Sequence, residues 1–276
     1  MTARRMGARY RRSPDMSKHM AGLRPRRRPE IGEGRLYGDL AWLWPIMSPP
    51  DDYVHESEEA AGIIRKFSEI ETRTLLNLGC GGGHNDRTLK RYFAVTGVDL
   101  SAQMLSLAGR LNPEVEYIRG DMRNVRLGRR FDAVTLFDSV SYMLSRRDLE
   151  AAFRTALDHL KPGGVFLTYA EQTSETFRIG RTRSFKGAAG GVEVAFIENQ
   201  QDSNPRDTVS ETVFVYIIQS NGRIAVETDR HRFGLFGFQT WLDALRAVGF
   251  RSTVVNGRIT NVWGAPIPWL VSLKPA

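Results

Sequence analysis

The chain runs from Thr74-Leu75-Leu76-Asn77-Leu78 directly into Gly79-Cys80-Gly81-Gly82-Gly83, a junction that few folds accommodate. A short continuous apolar run reads as a strand buried on both faces of a parallel sheet. The glycines behind it let the backbone turn tightly and approach a ligand with no Cβ in the way. Residues from about 85 to 92 read as a helix, which turns its free N–H groups and the positive end of its dipole toward that turn. Strand, glycine turn and helix together predict a cradle for a nucleotide-like ligand.

The next blocks narrow the choice of ligand. A second apolar strand, Ala94 to Val98, ends at Asp99, twenty residues after Gly79. A carboxylate at that tip is placed to accept both hydroxyls of a ribose, and dinucleotide folds use one in the same way. The glycine spacing separates the two cases, because Gly79-x-Gly81 is followed by His84 where a dinucleotide fingerprint carries its third glycine. A dehydrogenase reading is therefore disfavoured. A third strand, Val115 to Ile118, leads to Gly120-Asp121-Met122-Arg123, and a fourth, Phe131 to Phe137, ends at Asp138-Ser139-Val140-Ser141-Tyr142. Leu160-Lys161-Pro162-Gly163-Gly164 then turns the chain into a fifth strand through Leu167.

In this order and spacing the blocks resemble the class I S-adenosylmethionine-dependent methyltransferases, over about residues 35 to 172. In layout they are most similar to small-molecule N-methyltransferases that act on amino sugars and glycine-like amines. That likeness rests on Leu36-Tyr37-Gly38-Asp39-Leu40-Ala41, on Gly120 to Arg123, and on antiparallel strands after the fifth strand. The resemblance implies an α/β fold with a doubly wound, mostly parallel, seven-stranded Rossmann-like sheet and an inserted antiparallel β flap. It implies S-adenosyl-L-methionine as cofactor and methyl transfer to an N or O atom of a small molecule by in-line displacement. The positions it assigns to the cofactor are Asn77, Gly79, Cys80, Gly81, Gly83, Asp99, Leu100, Met104, Asp121, Met122 and Asp138. Asp99 takes the ribose and Asp121 with Met122 the adenine edge. No metal is assigned. Asn77 departs from the pattern, since most relatives carry Asp or Glu there, and an amide does not offer the same charge to the methionine ammonium.

The net charge of +8 suggests nucleic acid until it is divided along the chain. Residues 1 to 30 hold ten Arg and Lys against two acids, and the remaining 29 basic and 29 acidic residues cancel. The tail has three prolines, few large apolar residues and no periodicity, so it is predicted to be disordered. It reads as a dispensable extension, as a tether for RNA or an acidic membrane, or as an Arg-rich targeting peptide lacking the apolar core of a secretion signal. Cys80 is the only cysteine, which excludes an intramolecular disulfide and suits a reducing compartment. No stretch approaches the ~20 apolar residues of a membrane helix, so a cytoplasmic protein is expected, with a homodimer left open.

The expected organisation is a tail over 1–30 and a methyltransferase domain over 31–276, with the flap at 187–234 covering the active site. Tyr37 to Trp44 reads as a short aromatic helix and Tyr53 to Ile70 as an amphipathic one. Ser101 is a good N-cap for the next helix, and Arg147 or Asp148 is read as starting the helix that runs to Leu160. Strands at 192–197, 208–218 and 224–233 follow, the last two joined through Ser220-Asn221-Gly222, a hairpin signal. A helix over 238–248 and strands at 250–255 and 269–273 close the chain.

Positioning supplies roughly 7–11 kcal/mol of the barrier to such a transfer, so an acid–base group is useful without being essential. Candidates come from loop ends facing the methyl: Tyr37, Tyr142 and Glu171, the last to orient an ammonium group. His231 has the range of a base, although Asp229-Arg230-His231-Arg232 reads as a solvated strand face. Arg178, Arg181, Arg183 and Lys186, set among aromatics, read either as a clamp for an anionic acceptor or as a solvated loop. Two alternatives stand beside the small-molecule reading. One is an RNA methyltransferase recruited by the tail, which the neutral body and the lack of an RNA module disfavour. The other is a noncatalytic cofactor-binding regulator, kept open by Asn77.

Overall fold

The computed structural model describes residues 31–276, so the arginine-rich tail and the readings attached to it lie outside the described residues. The chain opens with β1 (Gly32–Glu33), short 3₁₀ turns, α1 (Trp44–Met47) and α2 (Val54–Phe67). An alternating run follows: β2 (Thr74–Leu78), α3 (Asp86–Leu89), β3 (Ala94–Asp99), α4 (Ala102–Leu111), β4 (Glu116–Arg119), β5 (Phe131–Leu136), α5 (Arg146–His159) and β6 (Leu160–Tyr169). Then come β7 (Thr182–Ala189), β8 (Val192–Gln201), β9 (Val209–Ser220), β10 (Arg223–Gly234), α6 (Phe238–Val248), β11 (Arg251–Thr260) and β12 (Pro266–Leu273).

Seven strands form one sheet in the order β11-β12-β6-β5-β2-β3-β4. β2 to β6 pair in parallel, and β12 and β11 are added antiparallel at one side. The fold is thus the mostly parallel α/β sheet that the sequence implies. The chain winds outward from β2 to β4 and then returns to β5 on the other side of β2. That reversal makes the carboxyl ends of β2 and β5 the topological switch point, where such sheets open a ligand crevice.

The apolar runs read as strands because both faces of this sheet are covered. Leu76, Leu78, Val134, Leu136 and Phe166 pack with Leu149 and Phe153 of α5 and Trp241 and Leu245 of α6. Leu75, Ala133, Val165 and Leu167 take the opposite face with Ala60 and Ile64 of α2. Each large side chain so buried contributes roughly 1.5–3 kcal/mol before its ordering entropy is counted.

The second sheet has five strands in the order β1-β10-β9-β8-β7. Asn221 and Gly222 take φ of 49° and 72°, the pair of positive angles a two-residue hairpin turn requires, and Ser220 pairs with Arg223 across it. Val194, Phe196, Tyr216 and Ile218 pack beneath Leu36, Leu40 and Leu43, which fixes the N-terminal segment on this sheet.

Four local expectations differ from what is observed. The sheet begins at Thr182, inside the stretch read as a basic loop. Among the described residues β7 is an edge strand paired only with β8, and charged residues suit an edge because they discourage further pairing. The aromatic N-terminal segment is broken into 3₁₀ turns and the short α1, with Gly34 at φ 66° before it and Pro45 within it. α3 is confined to Asp86–Leu89, because Ala94 must return beside Thr74 to start β3. The cap of α5 is Ser145, whose Oγ accepts from Asp148 N at 3.1 Å, two residues ahead of the expected start.

Candidate functional site

A cavity of about 470 Å³ opens at the carboxyl ends of β2, β3 and β5. Its floor is the glycine turn. Gly79 has φ 68°, and a Cβ there would lie 2.0 Å from Ser139 Oγ and 3.0 Å from Met122 Cε. Gly83, at φ 75°, packs so that a Cβ would come within 2.6 Å of the Tyr117 hydroxyl. Gly81 N donates to Asp99 Oδ2 at 2.8 Å, and Ser101 N donates to Asp99 Oδ1 at 2.8 Å. Burial raises the Asp99 carboxyl, and these backbone donors pull it back. Leu100 stands 61% exposed at the rim. Asp121 and Met122 form the far wall, with Asp121 held below the usual carboxylate range by Arg123, whose Nη2 lies 2.6 Å away. Cys80 lines the cavity, and burial pushes its thiol well up, which keeps it unreactive. Two expected residues stand apart: Gly83 is outside the cavity wall, packed against Tyr117, Asn112 and Ala108, and Met104 is the other. It is fully buried and outside the cavity wall, because amphipathic α4 turns it inward.

Asn77 also lines this cavity, and its amide is held at both ends. Nδ2 donates to Asp86 Oδ1 at 2.7 Å, and Oδ1 accepts from Thr135 Oγ1 at 3.1 Å. Tyr117 donates to the other Asp86 oxygen at 3.0 Å, and burial pushes Asp86 up to about 6. A carboxylate at position 77 would face Asp86 at contact distance, and two such charges repel. The amide is therefore matched to a buried acid that sequence reading missed, although Asp86 follows the glycine turn directly.

A second cavity of about 350 Å³ lies between the N-terminal segment, the five-stranded sheet and the loop at 261–263. It shares Tyr37, Trp44, Tyr53, Asp138 and Tyr142 with the first as a common wall. Asp138 opens onto both spaces, accepts from the Tyr169 hydroxyl and is raised by burial. Tyr169 also reaches Glu56 Oε2 at 3.5 Å. Burial, reinforced by Asp138, pushes both Glu56 and Glu171 up to about 8, and Glu171 lines the second cavity.

Tyr37 and Tyr142 meet with their hydroxyls 2.9 Å apart, and Tyr142 Oη lies 2.6 Å from His231 Nδ1. His231 is 2% exposed and sits 2.7 Å from Asp229 Oδ2, so the expected solvated face is corrected. On β10 alternate residues point inward, which buries Asp229 and His231 and leaves Arg232 outside. The basic cluster is also divided. Only Arg183 lines the cavity, paired with Glu198 at 2.5 Å and stacked 4.4 Å from the Phe185 ring. Arg181 lies 5.1 Å over Trp263, a cavity residue, whereas Arg178 bonds the carbonyls of Glu175 and Phe177 and Lys186 is exposed. Trp44, Tyr53 and Trp263 carried no local signal, because only the fold brings them to the cavities, and Glu56 stands behind the wall, bonded to Asn85 and Tyr169.

A methyltransferase domain model matches residues 75–164. The chain is 31% identical over 225 residues, spanning 80% of this chain and 87% of the relative, to dTDP-3-amino-3,6-dideoxy-alpha-D-glucopyranose N,N-dimethyltransferase of Streptomyces fradiae. The chain belongs to the class I S-adenosylmethionine-dependent methyltransferases. Two solved structures extend the likeness of this methyltransferase. DesVI of Streptomyces venezuelae superposes with a TM-score of 0.74 at 28% identity, covering 86% of this chain and 96% of that one. S-adenosylmethionine-bound CalS10 of Micromonospora echinaspora, an amino pentose methyltransferase, gives 0.70 at 27% identity, covering 80% and 91%. The methyltransferase is an enzyme that uses S-adenosyl-L-methionine to methylate an N or O atom of a small molecule. Among the described residues, no helix is long and apolar enough to cross a membrane.

Proposed function

We propose that this enzyme N-methylates the amine of a deoxy amino sugar carried on a nucleotide. The observation that carries the reading is the common wall of the two cavities, with Tyr37, Asp138 and Tyr142 standing between the cofactor side and the acceptor side. The names of the relatives at 31% and 28% identity agree with it.

The first cavity fits S-adenosylmethionine. A cradle that a Cβ at Gly79 would fill is kept open. Asp99 spends one lone pair of each oxygen on backbone N–H groups, which aims the carboxylate and leaves acceptor capacity for a ribose diol. In this reading Gly79, Cys80, Gly81 and Gly82 form the floor while Gly83 packs the turn behind it, Leu100 covers the adenosine side, and Asp121 with Met122 borders the adenine. Asn77 supports the turn through Asp86. When bound, the cofactor supplies a sulfonium methyl that a neutral amine takes up in line.

The second cavity favours an amine. Asp138, Glu171 and Glu198 line it, and Arg183 is already paired with Glu198. Such a wall attracts an acceptor as its ammonium and provides carboxylates to take its proton. Glu171 is suited to orient the amine, and Tyr37 and Tyr142 to hold it at the junction. A nucleotide diphosphate is accommodated outside this acidic wall, where Arg181 lies over Trp263.

The test is a transfer assay with purified full-length chain and S-adenosylmethionine. Its acceptor panel comprises dTDP-3-amino-3,6-dideoxy-α-D-glucopyranose, the free amino sugar and simple phenols. Mono- and dimethylated sugar amine is expected from the nucleotide sugar. Methylation of phenols alone, by protein that binds the cofactor, overturns the assignment.

A further inference from the structure

We infer that Asp229 positions a proton relay, Asp229–His231–Tyr142–Tyr37, which collects the proton released when the acceptor amine is methylated; this rests on the acceptor reading above. The inner end of the chain is fixed. Asp229 is fully buried, and it accepts from Leu36 N at Oδ2 and from Arg230 N at Oδ1, each at 2.8 Å. Burial alone would raise this carboxyl, but the bonds from His231 and the N-terminal backbone hold it below the usual range, so it accepts and does not donate. The His231 nitrogen facing it, Nε2 at 2.7 Å, must therefore carry a hydrogen. Phe214 lies 5.0 Å from the imidazole and Phe233 6.1 Å, which screens the ring with apolar surface.

The outer end reaches the reaction space, since Tyr37 and Tyr142 line both cavities. The 2.9 Å contact has Tyr142 donating to Tyr37, whereas the 2.6 Å contact to Nδ1 is open to either direction; with Nε2–H given, two hydrogen arrangements follow, the first reached by a turn of the Tyr37 hydroxyl. In the first, Tyr37 donates to Tyr142, Tyr142 donates to a bare Nδ1, and the Tyr37 lone pairs face the cavity. In the second, the imidazolium donates from both nitrogens, Tyr142 donates to Tyr37, and the Tyr37 hydrogen faces the cavity. The two differ by one proton entering at Tyr37.

Methyl transfer forms the N–CH₃ bond, breaks the S–CH₃ bond and leaves an ammonium. The ammonium N–H bond then breaks toward Tyr37 oxygen as the Tyr37 hydrogen passes to Tyr142 and the Tyr142 hydrogen to His231 Nδ1. The positive charge comes to rest on the imidazolium beside Asp229. After the product leaves, the proton returns by the same route to water. Asp229 acts through His231 and is a positioning residue, because it selects the tautomer whose bare nitrogen receives the proton.

The test is nitrogen NMR of the full chain labelled at histidine with ¹⁵N, near neutral pH, assigned with His231→Gln. Wild type is expected to give His231 protonated at Nε2 and bare at Nδ1. Asp229→Asn is expected to move that proton to Nδ1, because an amide can donate where the carboxylate accepts. A wild-type Nδ1–H neutral imidazole overturns the relay, and this holds whether or not the variant folds. In assays that resolve the two methylations, Tyr142→Phe is expected to leave the first transfer and S-adenosylhomocysteine affinity unchanged and to slow the second, which needs the monomethyl ammonium deprotonated, by about 10²-fold or more; an unchanged ratio of second to first transfer overturns the relay. Failure of the acceptor reading is scored separately, as absence of methylated amino sugar.

Discussion

Adding one methyl group at Gly79 tests how tightly the turn is built. In Gly79→Ala the residue keeps φ at 68°, and its Cβ meets Ser139 Oγ at 2.0 Å, Ser139 Cβ at 2.6 Å and Met122 Cε at 3.0 Å. The hydroxyl and the methionine tip can rotate away, but the Ser139 Cβ moves only with the backbone after Asp138. A left-handed conformation costs a residue with a Cβ roughly 1–2 kcal/mol, and overpacking adds about 1–3 kcal/mol. The sum is about 2–5 kcal/mol, or a fall of about 4–20 °C in melting temperature at ~2–4 °C per kcal/mol for a chain of this size. Ser139→Gly removes both serine atoms, so the double variant is expected to regain the overpacking part and keep the conformational part. Thermal unfolding of the four proteins measures the cycle, and titration with S-adenosylhomocysteine is expected to show affinity reduced about tenfold or more in Gly79→Ala. A single variant as stable as wild type, or a double variant no better than the single, refutes the reasoning.

Asp99→Ala is expected to weaken S-adenosylhomocysteine binding by about 1–3 kcal/mol, as measured by calorimetry, since a charge-assisted acceptor is removed. Glu171 is raised to about 8, above its unfolded value of 4.5, so the folded state holds more protons between those pH values and stability falls as pH rises through that window. Glu171→Gln removes this term, and its melting temperature is expected to drop less than that of wild type between about pH 5 and 8. Arg183→Ala leaves buried Glu198 unpaired and is expected to destabilise the chain by about 3–5 kcal/mol in denaturant unfolding. Arg181→Ala is expected to raise the acceptor KM with stability and cofactor affinity unchanged.

The cofactor half of the fold was legible because it is local. The run Thr74 to Leu78, the glycines and the carboxylate at Asp99 lie within twenty-six residues, and backbone constraints at Gly79 dictate residue type. The Asn221-Gly222 hairpin was readable for the same reason, since both positions need positive φ. The acceptor half was legible only in part: its antiparallel strands and the positions of Tyr37, Tyr142 and Glu171 were read, but not which faces are covered. β7 hid because an edge strand carries charge in place of apolar alternation, and His231 was misplaced because a run of four polar residues gives no sign of which face is covered. Met104 looked like a cofactor contact by its place after Asp99, but the amphipathic face of α4 decides its direction. Asp86 and Glu56 become meaningful only through partners separated from them by up to 113 residues.

The central claim is that the acceptor amine sits where the two cavities share a wall. A crystal structure of the full chain with S-adenosylhomocysteine and dTDP-3-amino-3,6-dideoxy-α-D-glucopyranose tests it most directly. The account expects the sugar nitrogen within hydrogen-bonding reach of Tyr37, Tyr142 or Asp138, with the ribose of the cofactor on Asp99. A sugar seated away from that wall, or a cofactor that leaves Asp99 untouched, contradicts it.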